Sequence, residues 1–153
     1  MFGVLALLLV ISPPHFRAAP GWHVGASGPH ACSGVSASRC VWAAGWAGTV
    51  RYRDCPNCVA PHRTLARLPA EGILIQLTKT RELPARMRTG SWPPTIRRKD
   101  VQPGFEGVTP RYGSFQFTVR TGKVERSLFV WFGRARPTRD QLARANAELR
   151  TAR

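Results

Sequence analysis

The stretch that decides the fold is Ser114–Leu149, SFQFTVRTGKVERSLFVWFGRARPTRDQLARANAEL. Phe115, Phe117 and Val119 alternate with Gln116 and Thr118. That period of two is the mark of a strand with one buried face. Thr121-Gly122 supplies a turn, since glycine enters positive φ without a steric cost. The return strand runs from Val124 to Phe132, and its last five residues are all apolar. Gly133 ends it, and Pro137-Thr138 opens a helix. Thr138 is placed to cap that helix, with Gln141 three residues on as the reciprocal partner of a capping box. Leu142, Ala145, Leu149 and Ala152 recur at helical spacing and form its buried stripe. Arg144, Arg150 and Arg153 suit the negative end of the helix dipole.

Working outward, Ile73–Thr78 (ILIQLT) opens after Gly72 and is apolar on both parities, which predicts a central strand. Trp42, Ala44, Trp46, Val50 and Tyr52 share one parity, which predicts a half-buried strand over about 46–53 with a bend at Gly45. Thr64–Leu68 has room for a helical turn before Pro69. Residues 81–110 carry five prolines and no period, and read as a long irregular segment. The fold class is therefore α+β: a small mixed or antiparallel sheet of about four or five strands, with the C-terminal helix on one face.

The chain has 153 residues, 43% of them hydrophobic and 20% charged, which suits one globular domain. Thirteen prolines and fourteen glycines exclude a long helical bundle. The net charge of +15 directs attention to anionic partners. Yet 20 of the 23 cationic residues are Arg and they are spread along the chain, as compositional bias also produces. Arg51, Arg53, Arg97, Arg98 and Lys99 are the anion-binding candidates. No helix carries a basic face with base-reading groups, so nucleic acid is not the expected partner. Anionic envelope polymers or lipid headgroups are.

The N-terminus reads as export. Phe2–Ile11 is an apolar run of ten residues, the length of a signal-peptide core, and Ser12-Pro13-Pro14 halts it. Val24-Gly25-Ala26 is the best cleavage triplet, so residues 1–26 are expected to be a signal peptide or anchor. Residues 27–40, rich in Gly, Ser and Ala, are expected to be an extended segment carrying cysteine. Residues 41–153 form the domain. The location is then extracytoplasmic, secreted or envelope-associated.

All four cysteines fall in the first 58 residues: Cys32, Cys40, Cys55 and Cys58. An even count in an exported chain reads as two disulfides, with three connectivities open. A zinc-stabilised binding module is the alternative, with Cys55, Cys58 and His62 as ligands, although only Cys55–Cys58 has the close spacing such sites use. No cofactor is called for. The sequence lacks a nucleophile elbow, a phosphate-binding glycine loop and a zincin motif. Its eight carboxylates offer no evident acid–base pair. Trp42, Trp46 and Trp131 read as core, and Trp92 as the best candidate for an exposed contact.

Two resemblances follow from these motifs. Trp131–Leu149 (WFGRARPTRDQLARANAEL), the TL-x-x-LP-x-x-G-I run of Thr64–Ile73 and the turn at Phe105-Glu106-Gly107 resemble uncharacterised secreted or envelope proteins of high-GC Gram-positive bacteria. That likeness implies export and no assigned activity. The order strand, C-x-x-C, short helix, strand, Thr109-Pro110, hairpin and helix is similar to thioredoxin-like oxidoreductases. It implies Cys55 as attacking thiol, Cys58 as resolving thiol and Pro110 as a cis-proline facing them. Pro61 and Pro69 leave only a short helix where that family has a long one. The leading expectation is an exported, non-enzymatic small domain associated with the cell envelope.

Overall fold

A computed structural model describes residues 11–82 and 89–153. The apolar run over 2–10 and Pro84 of the irregular segment lie outside the described residues. Six strands form one sheet: β1 (His23–Ala31), β2 (Cys40–Gly48), β3 (Ile73–Glu82), β4 (Gln102–Phe105), β5 (Val108–Thr121) and β6 (Val124–Phe132). Their order is β1-β2-β3-β6-β5-β4, and every ladder is antiparallel. Helix α1 (His62–Leu65) lies between β2 and β3, and α2 (Arg139–Leu149) follows β6. The sheet is thus antiparallel and wider than the four or five strands expected, with the C-terminal helix in its expected place.

The β5–β6 hairpin turns through Gly122, at φ +62°. Thr138 and Gln141 make the capping box at the start of α2. Gln141 does more than cap: its side chain is fully buried and donates to the carbonyls of Ala70 and Gly72, tying α2 to the turn before β3. One sheet face carries Ile73, Ile75, Leu77, Leu128, Val130 and Phe132, against which Ala145 and Leu149 of α2 pack, with Leu142 and Phe117 at the margin. The other face carries Leu74, Trp131 and Tyr112, covered by Leu65 and Leu68 from the α1 turn.

Several expectations need correction. The strand expected over 46–53 is β2 at 40–48. The chain leaves the sheet at Thr49, whose hydroxyl accepts from Ile73 N–H at 3.0 Å, so Val50 and Tyr52 keep the parity of β2 without belonging to it. The segment expected to be merely extended at 27–40 supplies the second half of an edge strand, β1 (His23–Ala31), which pairs with β2 on either side of a register shift between Ser27 and His30. Its Pro29 sits where the register shifts, and Pro103 lies in β4 at the opposite edge, the positions where a missing N–H is tolerated.

The boundary expected after residue 26 falls inside β1. Ile11 and Phe16 upstream of it are buried, and His15 and Arg153 exchange backbone hydrogen bonds of 3.0 Å. Gly45 marks this packing rather than a bend, since a Cβ there would collide with Pro14. Cleavage after residue 26 would remove these contacts and the first residues of β1 from the packed chain. Finally, much of the irregular segment is anchored. Asn146 of α2 clasps Ile96 by both backbone groups, at 2.8 and 3.0 Å. Trp92 is half-buried against the core with Arg126 over its ring, rather than an exposed contact.

Candidate functional site

Leaving β2, the chain turns through Thr49 to Arg53, and Asp54 anchors the next turn. Its carboxylate accepts from Arg63 N–H, Thr64 N–H and the Thr64 hydroxyl, and Thr64 in turn accepts from Arg53 N–H. With Asp54 so engaged, Arg51 and Arg53 are left exposed. They meet Arg67, just past α1, and His23, at the start of β1, around one pocket of about 310 Å³. Thr49 and Val50 also line it, and among the described residues no carboxylate contributes. His23 and Arg51 also border an adjoining depression walled by Trp22, Trp46 and Tyr52, in which Trp46 and Tyr52 stack at 4.8 Å. Of the anion-binding candidates, Arg51 and Arg53 thus share a site, and the fold adds Arg67 and His23. Arg98 and Lys99 lie in a 3-10 turn (Arg98–Asp100) near α2 with Arg97 at its N-cap, and none of the three lines the pocket. There Arg98 donates to the Pro137 carbonyl at 3.1 Å, a structural bond.

The cysteines pair locally, Cys32 with Cys40 and Cys55 with Cys58. Such bonds belong to an oxidising environment. Among the described residues no helix is long and apolar enough to cross a membrane. The Cys55–Cys58 loop rests on a polar chain that runs outward from the buried Trp131. Trp131 Nε1 donates to Gln76 Oε1 at 3.0 Å, Gln76 Nε2 donates to the Tyr52 hydroxyl and the Cys58 carbonyl, and the Tyr52 hydroxyl donates to the Cys55 carbonyl at 2.7 Å. Burial, with the charge of Asp54, pushes the Tyr52 phenol well above its usual range, against the opposing pull of the Gln76 bond. Tyr52 is therefore a neutral strut.

This arrangement departs from both alternatives for the C-x-x-C. No helix begins at Cys55, since α1 starts at His62 and has four residues. Pro110 lies in β5, preceded by a trans bond, within an antiparallel sheet. The helix N-terminus that lowers a catalytic thiol's pKa is missing from this loop. Zinc needs thiolates, and the sulfurs of Cys55 and Cys58 are bonded to each other. Among the described residues no three His, Cys, Asp or Glu side chains, His62 included, gather to hold a metal.

A second concavity, about 270 Å³, lies on the same sheet face. Gln76, Thr78 and Thr80 of β3 form its floor, with Trp42 of β2 on one side and Ser127 and Phe129 of β6 on the other. Cys32 and Cys58, one from each disulfide, sit on its rim. Only its parts were visible in the sequence; their union depends on the β2–β3–β6 register.

No protein-family model, no curated protein and no solved structure matches the chain.

Proposed function

We propose that this is an exported, non-enzymatic domain that associates with the cell envelope by binding phosphate or carboxylate groups of envelope polymers or lipid headgroups. The observation that carries the reading is the convergence of Arg51, Arg53, Arg67 and His23 on one pocket with, among the described residues, no carboxylate in its lining. Guanidinium groups are planar forks that match such oxyanions in bidentate fashion, which a scattered positive surface does not do. The net charge of +15 adds long-range attraction. Two disulfides and the resemblance to secreted proteins of high-GC Gram-positive bacteria support export.

Fractionation of a C-terminally tagged chain in its native cells tests this. The expected result is recovery with the envelope and release by a high-salt wash, since exposed ion pairing is screened by salt. Full-length protein in the cytosol would sink the proposal.

A further inference from the structure

We propose that the concavity between Trp42 and Phe129 binds a single uncharged sugar ring, at a site separate from the basic pocket. A pyranose has one face of C–H groups and a rim of hydroxyls. It therefore needs an aromatic surface beside hydroxyl and amide partners. The concavity offers this pairing: Trp42 and Phe129 line it together with Thr78, Thr80 and Ser127. Asn57 places an amide at the rim.

Three observations narrow the ligand. Among the described residues no Arg, Lys or His lines the concavity, so it offers an anion no cationic partner there. The Thr78 and Thr80 hydroxyls, half-buried on the floor, make no hydrogen bond with the described residues, so an apolar ligand would desolvate them without return. The volume of about 270 Å³ is at the small end for ligand clefts, typically about 300–1,000 Å³, which suits one ring rather than an extended peptide.

The walls are also held in place. His30 packs on the Trp42 indole with ring centroids 4.5 Å apart, and its Nε2 lies 2.7 Å from the Ser27 hydroxyl. On the opposite side, Phe129 stacks on Trp131. At one end, the Cys58 carbonyl is fixed by Gln76 at 2.8 Å. A site whose walls do not move on binding avoids the entropy cost of ordering them.

The test is retention of the full oxidised chain on an array of uncharged oligosaccharides in roughly 0.5 M NaCl, where weak ionic contacts are screened. We expect a subset of uncharged glycans to be retained. Thr78→Val and Thr80→Val, which keep side-chain shape, should each weaken retention by about 3–10-fold, the effect of one hydrogen bond. Trp42→Ala should abolish it, with the thermal midpoint measured alongside to show that the variant folds. Retention of no uncharged glycan, or retention unchanged in both threonine variants, would overturn the assignment. Binding only to charged glycans, lost at this salt, would overturn it too while leaving the basic pocket's role intact.

Discussion

The indole N–H of Trp131 donates to Oε1 of Gln76 across 3.0 Å, in a part of the sheet face where both side chains are buried. The other end of the same amide holds the Tyr52 hydroxyl and the Cys58 carbonyl. One glutamine thus couples the core to the disulfide loop and to the turn that presents Arg51 and Arg53. Replacing Gln76 with Leu strands the indole donor. The expected cost is about 1–3 kcal/mol, the penalty of an unsatisfied buried group, read from urea unfolding. A loss below about 0.5 kcal/mol would mean that the network is dispensable.

The N-terminal segment makes a second prediction. Phe16 belongs to the main core with Ile73 and Leu149. Phe16→Ala should lower stability by about 3–5 kcal/mol, and a chain beginning at Ser27 should fail to give a cooperative thermal transition. Cooperative unfolding of that shortened chain would show that residues 11–26 are not part of the domain.

The disulfide pattern can be read by mass. Trypsin under non-reducing conditions cuts after Arg39, Arg51, Arg53 and Arg63. The peptide Asp54–Arg63 should appear two hydrogens lighter than its reduced form. Cys32 and Cys40 should join the peptides Ala18–Arg39 and Cys40–Arg51. Any link between these two groups would contradict the local pairing.

Burial raises the Glu148 carboxyl above its ordinary range, against the opposing effect of the Thr151 hydrogen bond. The folded state then holds this proton more tightly than the unfolded chain. Stability from this group is present below the unfolded value, about 4.3, and is lost as pH rises through the higher folded value. Glu148→Gln should therefore raise the melting temperature at pH 7 and have little effect near pH 3. A variant less stable than wild type at pH 7 would show that the charged carboxylate is needed.

The C-terminal half was legible because its signals are local. The alternation at Phe115–Val119, the Gly122 turn, the Thr138–Gln141 box and the Leu142–Leu149 stripe each act within a few residues. β1 was hidden because its two glycines and Pro29 carry no strand pattern; its partner, β2, supplies the order. The segment around Ile96 was hidden because its anchor, Asn146, lies 50 residues away. For the same reason Arg51 and Arg53 stood out as a pair, while Arg67 and His23 join them only through the α1 turn and the β1–β2 ladder.

The basic pocket is the central claim, and salt-dependent binding tests it most directly. Association of the oxidised protein with vesicles containing phosphatidylglycerol, and with a soluble glycerol-phosphate polymer, should be compared with neutral phosphatidylcholine vesicles across a salt series. Binding to an anionic probe should fall steeply as the Debye length shortens from about 10 Å at 0.1 M to about 3 Å at 1 M. The triple change Arg51→Ala, Arg53→Ala and Arg67→Ala should remove most of it, whereas Arg97→Ala with Lys99→Ala, equal in charge type but outside the pocket, should leave most of it. Equal binding to neutral and anionic vesicles with no affinity for the polymer, or equal loss from both sets of substitutions, would contradict the account.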